Sequence, residues 1–125
     1  MDIEFIREYC LKKNGVKEEM PFGPDTLVFK IAGKIFLISG LDKIPFSISL
    51  KCDPELAIEL RERYSEVTPG WHLNKKMWNT VELSGSIPQK EILAMIDHSY
   101  SEVVKKLPKK LRGELPKKDW LYPSK

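Results

Sequence analysis

The stretch LVFKIAGKIFLISGLDKIPFSISL, residues 27–50, decides the fold. Leu27 to Ile31 and Ile35 to Ser39 are β-rich runs on either side of Ala32-Gly33-Lys34, the pattern of a hairpin. Within the first run Phe29 and Ile31 fall on one face, Val28 and Lys30 on the other. Gly40 to Pro45 forms a loop, and Phe46, Ile48 and Leu50 then alternate with Ser47 and Ser49, as in a strand with one wet face. These segments join most simply as an antiparallel meander.

On the N-terminal side, residues 2–13 have helical spacing. Asp2 suits the N-cap, Ile3, Ile6, Tyr9 and Cys10 form one stripe, and Gly15 lies past the end. Lys12 and Lys13 are expected in the last turn, where the helix dipole favours cations. The sequence turns to short strands at Val16, and Glu19 to Asp25 is dense in turn formers. On the C-terminal side, Asp53 is a natural N-cap with Pro54 at N1. Leu56, Ala57, Leu60 and Tyr64 form the inner stripe of that helix. A strand follows at about Trp78 to Leu83, with Trp78 expected in the core. Ser86 to Gln89 has capping-box spacing, and Ile92, Ile96, Tyr100, Val103 and Leu107 make one stripe of a helix over about 88–106 that Pro108 stops. The fold class expected is α+β, an antiparallel sheet with helices packed on one face.

Composition narrows the class. A chain of 125 residues with 42% apolar content is sized for one core. No apolar run reaches the ~18–20 residues needed to cross a bilayer, and Asp2 and Glu4 stand where a leader would be basic, so a cytoplasmic protein without membrane contact is expected. Cys10 and Cys52 match neither a metal spacing nor a disulfide framework. Cys52 beside a helix start could have an activated thiol, but no partner is placed by spacing, and a small buried residue fits better. The net charge of +3 is unevenly spread: residues 105–125 carry +6, leaving −3 for the rest. A basic end on a slightly acidic body can attract polyanions.

The contact surface is sought in PGWHLNKKMWNTVEL, residues 69–83, which holds two Trp, one His, two Asn and two adjacent Lys. A segment made only to fill a core has no use for Asn74, Lys75, Lys76 and Asn79. Together with Met20-Pro21-Phe22-Gly23, Phe29-Lys30, Gly33-Lys34, Leu50-Lys51, Pro54-Glu55, Ser99-Tyr100 and Leu107-Pro108, the segment Pro69 to Trp78 resembles the MmcQ/YjbR family over about residues 1–112. Met77 stands where many members of that family have a second histidine, which weakens a paired-histidine site. The resemblance implies a frataxin-like (CyaY-like) fold with helices on one sheet face, and DNA binding through a double wing of hairpins. Residues 113–125 match nothing in it and are expected to form a weakly structured basic tail.

The leading expectation is therefore a non-enzymatic, monomeric DNA-binding protein with no cofactor. Lys51, Lys75 and Lys76, with Lys30 and Lys34, would reach phosphates; Asn74 and Asn79 would supply hydrogen bonds, Trp71 a stacking face and His72 a loop anchor. Lys109, Lys110 and Arg112 would add sequence-independent phosphate contacts. The alternative is a module binding an acidic protein or a phosphorylated ligand on the same surface. Iron handling by Glu4, Glu8, Glu18 and Glu19 is a remote third. No nucleophile, base and oxyanion donors fall at a diagnostic spacing, so catalysis is not expected.

Overall fold

The computed structural model describes residues 1–70 and 73–115. Its elements are α1 (Ile3–Leu11), β1 (Val16–Glu19), β2 (Thr26–Ile31), β3 (Lys34–Gly40), β4 (Ser47–Lys51), α2 (Pro54–Arg63), β5 (Val67–Pro69), β6 (Trp78–Glu82), α3 (Gln89–Lys105) and α4 (Lys109–Gly113). The strands form one six-stranded sheet in the order β1-β2-β3-β4-β6-β5, antiparallel throughout.

The meander forms as expected, with one irregularity that matters. Phe29 pairs with Leu37 but Lys30 pairs with Ile35, so Phe36 is an extra residue on β3. That bulge lets Phe36 and Leu37, neighbours in sequence, both be buried. The β2–β3 turn is tighter than expected: Ile31 pairs with Lys34, and Ala32 and Gly33 both take positive φ, 50° and 79°. This is the backbone of a two-residue primed turn, which glycine adopts freely and alanine does not.

Alternation gives the sheet two unequal faces. Leu27, Phe29, Leu37, Ile48, Leu50 and Val81 join the core cluster under the helices. On the other face the register runs Glu19, Val28, Ile38, Ser49, Thr80, Thr68. Asn79, paired with Leu50, takes the core-facing position in β6. Trp78, expected in the core, is one residue out of phase and only half-buried. Gly70 packs close to it: a Cβ there would stand 3.1 Å from the Cβ of Trp78.

The helix α3 is the spine. Its expected stripe of Ile92, Ile96, Tyr100, Val103 and Leu107 is buried throughout. The Tyr100 ring meets Phe36 edge-on at 5.4 Å, and its hydroxyl donates to the Asn14 carbonyl at 2.8 Å, joining α3 to the α1–β1 turn. The Ser99 hydroxyl donates to the Phe36 carbonyl and accepts from the Lys51 N–H at 2.9 Å, tying α3 to two strands. The start of α3 departs from expectation. Pro88 is the N-cap, and no side chain caps the helix.

Two termini also differ. Asp2 caps α1 through Phe5 N–H as expected, but the helix ends at Leu11, leaving no basic residue in its last turn. Lys13 lies beyond the helix, paired with Asp97 and over the Tyr9 and Tyr100 rings. After Pro108 the chain re-enters a helix, α4, which spans the boundary expected at 112/113, and Leu115 packs against the core. Residues 116–125, including the rest of the expected tail, lie outside the described residues.

Two substitutions test this account. Ala32→Asn should raise stability by about 0.5–1 kcal/mol, because Asn tolerates positive φ better than Ala; an unchanged or lower urea midpoint would contradict the turn. Ser99→Ala strands a buried carbonyl and a strand N–H and should cost about 1–3 kcal/mol by urea denaturation at unchanged m-value.

Candidate functional site

The charged side chains gather at one end of the sheet, where β4 finishes, β6 begins and the β2–β3 turn lies. Lys51 ends β4 and pairs in register with Trp78. Its ammonium is held below the usual lysine range by burial, then by the nearby charge of Lys106, with Lys34 adding to the effect. The carboxylate opposing this is Glu102, already bound by Lys105 at 2.8 Å. Three lysines from β3, β4 and the end of α3 thus share one weakly compensated patch.

The segment carrying Lys75 and Lys76 is fixed beside that patch by backbone bonds. Cys52 N–H donates to the Met77 carbonyl at 2.7 Å, and Met77 N–H to the Asn74 carbonyl at 3.0 Å. Asn74 Oδ1 accepts from Lys76 N–H at 3.0 Å, an Asx turn that uses the side chain proposed for ligand contact. The Arg61 guanidinium clamps the turn from α2, donating to the Lys75 carbonyl and to Asn79 Oδ1. Lys75 and Lys76 themselves are exposed.

The candidates named from sequence fare unequally. Lys51 ends β4 next to Cys52, whose N–H holds the turn that carries the exposed Lys75 and Lys76. Asn79 does not join them: it is 2% exposed, and its amide also donates to the Ala57 carbonyl at 3.3 Å, so it is a core anchor. Its pairing opposite Leu50 places it under the helices, which alternation counted from Trp78 as a core residue could not give. Lys30 is occupied by Glu19 at 3.1 Å. Lys109 and Lys110 are exposed on α4, whereas Arg112 donates to the Lys105 carbonyl at 3.0 Å and closes the α3–α4 corner. Trp71 and His72 lie outside the described residues. Sequence reasoning did not single out Lys106 or Arg61 for this surface. Lys106 follows the last turn of a helix whose end is marked by Pro108, a cue that was available; Arg61 had none.

Other chemistry is constrained. Burial, then the charges of Asp53 and Glu102, push the Cys52 thiol up to about 12, the opposite of an activated cysteine. His98 Nε2 accepts the Asp53 N–H at 3.0 Å, which leaves the neutral ring's proton on Nδ1. Three of the four acidic candidates near α1 are paired: Arg7 binds Glu18 at 2.6 and 2.7 Å and Glu4 at 3.0 Å, and Lys30 binds Glu19 at 3.1 Å. Among the described residues no group of three or more His, Cys, Asp or Glu is arranged to hold a metal, and no helix is long and apolar enough to cross a membrane.

Crowded lysines make a testable electrostatic signature. Lys51→Gln should raise stability at neutral pH by up to ~0.5 kcal/mol, the scale of screened surface charges. Because the folded ammonium gives up its proton more readily than the unfolded one, wild-type stability should rise with pH just below the ordinary lysine range. Urea midpoints across that alkaline range should lose this rise in Lys51→Gln; an identical profile would contradict the crowding.

Comparison with known proteins places this geometry among relatives. The family model described as YjbR matches residues 11–102. The uncharacterized protein YjbR of Escherichia coli K12 is 35% identical over 113 residues, covering 90% of this chain and 95% of that protein. The uncharacterized protein YbdF of Escherichia coli O157:H7 is 41% identical over 91 residues, 72% of this chain and 74% of its own. A crystal structure of Deinococcus radiodurans protein DR2400 superposes with a TM-score of 0.89 at 35% identity, covering 96% of this chain and 91% of that one.

Proposed function

The chain belongs to the YjbR family, and we propose that it is a non-enzymatic DNA-binding protein, acting as a cytoplasmic monomer, whose contact surface is the lysine-rich end of its sheet. The observation that carries this reading is the convergence of Lys34, Lys51 and Lys106 beside the pinned Lys75-Lys76 turn. Like charges held together on different elements cost stability, and the field they create favours a polyanion. Phosphates spaced along a duplex satisfy several ammonium groups at once, and released counterions drive the association. Lys109 and Lys110 on α4 extend the same positive surface along the chain.

The surface offers ammonium groups rather than a helix shaped for the major groove, so binding follows the phosphate backbone with little preference for sequence. Asn74, committed to its turn, positions the lysines rather than reading bases. The CyaY-like wing arrangement implied by the family resemblance is compatible with this end-on contact, since the β2–β3 turn carries Lys34 to it.

Fluorescence anisotropy of labelled duplex DNA across a salt series tests the proposal. Lys75→Ala/Lys76→Ala and Lys34→Ala/Lys106→Ala should each make the log–log slope shallower by ~1.8, two phosphate contacts at about 0.9 each. Loss of binding confined to a chain truncated after Leu115 would assign the attraction to the tail and overturn this surface. Absence of binding at low salt would do so too, leaving an acidic protein or phosphorylated ligand as the partner of the same lysines.

A further inference from the structure

A cleft of about 450 Å³ lies between the helices α2 and α3 on the covered side of the sheet. Its floor is β4 and β6, through Leu50, Asn79 and Val81. One wall is α2, with Leu56 and Leu60, and the other is α3, with Met95 and His98. The size is that of a small-molecule site, and the lining is mainly apolar with a few polar groups, the usual composition of one. Neither the family comparisons nor the DNA-binding reading accounts for it.

The two ends of the cleft differ in charge. Lys51, Cys52, His98 and Lys105 lie toward the end where β4 finishes, backed by Lys106 and Lys34 outside the lining. Toward the start of α3 the lining carries Glu91, with Glu59 and Arg63 on the α2 wall, one cation to two carboxylates. Positive potential is thus concentrated at one end of an apolar trough. On the floor, Asn79 Nδ2 uses one hydrogen on the Ala57 carbonyl and carries a second. Cys52 stays a neutral thiol at the lysine end, because burial raises its pKa to about 12.

We propose that the cleft between α2 and α3 is a binding site for a small organic anion with an apolar body, such as a medium-chain or aromatic carboxylate, its hydrocarbon part lying on Leu50, Val81 and Met95 and its carboxylate toward Lys51, since Lys105 is already paired with Glu102. The apolar part gains from leaving water in proportion to the area it buries. The anion relieves the crowding of Lys51 with Lys106 and Lys34. This site is separate from the duplex-binding surface except at Lys51, which borders both.

The test uses the full chain with octanoate and octylammonium as paired probes of the same tail and opposite charge, followed by methyl and amide NMR shifts. Octanoate should give saturable shifts centred on Leu50, Leu56, Val81 and Met95 and bind at least ~10-fold more tightly than octylammonium. Ala94→Trp, an exposed helical position at the cleft wall, should weaken octanoate at least ~10-fold while circular dichroism and duplex-DNA anisotropy stay unchanged, which separates this site from the nucleic-acid surface. Equal binding of the two probes, shifts centred instead on the exposed Met20, Phe22 and Ile44, or full octanoate affinity in Ala94→Trp would overturn the proposal. The comparison of the two probes on the unsubstituted chain decides the charge preference even if the tryptophan variant misfolds.

Discussion

Two consecutive residues of α3 hold the centre of the molecule. Ser99 accepts the Lys51 N–H and His98 accepts the Asp53 N–H, so the last residue of β4 and the first turn of α2 hang from one helix. Backbone N–H groups leaving a strand must find partners, since an unsatisfied buried donor costs roughly 1–3 kcal/mol. Here Lys51 and Asp53 find side chains of α3, and Cys52 between them finds the Met77 carbonyl, as the chain leaves the sheet for α2. The seating of Lys51 at the sheet end and of the start of α2 beside α3, where the cleft lies, rests on that pair of bonds.

The same tie explains why charge crowds where it does. Lys51 cannot retreat, because its backbone is fixed to α3, and α3 brings Lys105 and Lys106 to the same end. From α2, Arg61 spends its guanidinium on holding the 74–77 turn, which keeps Lys75 and Lys76 near Lys51 without joining them as a ligand. A surface assembled from four elements in this way has its backbone fixed where its lysines are attached.

Much of the fold was legible in the sequence, and the reasons are local. The meander, the N-caps at Asp2 and Asp53 and the α3 stripe each rest on periodicity or capping chemistry within a dozen residues. What escaped depends on contacts distant in sequence. The strand β5 is three residues long, too short to show a period, and exists because Val67 pairs with Val81. The Phe36 bulge reverses the phase of β3, and the phase of β6 puts Asn79 rather than Trp78 under the helices. At the candidate site, runs of lysine were visible, but the separation of Arg112 and Asn79 into structural roles was not. Their partners, the Lys105 carbonyl for one and Arg61 and the Ala57 carbonyl for the other, are set by tertiary packing.

The order of strands leaves β1 and β5 at the margins of the sheet. Bare margins invite a second chain to extend the hydrogen-bond ladder, the first step toward amyloid-like stacking. Here β1 presents Lys17, Glu18 and Glu19 within four residues, and Glu18 is drawn aside by Arg7. The other margin, β5, ends at Pro69, which has no N–H to donate. The borders of the sheet are thus poor templates, and copies of the chain can crowd at high concentration without their sheets fusing edge to edge.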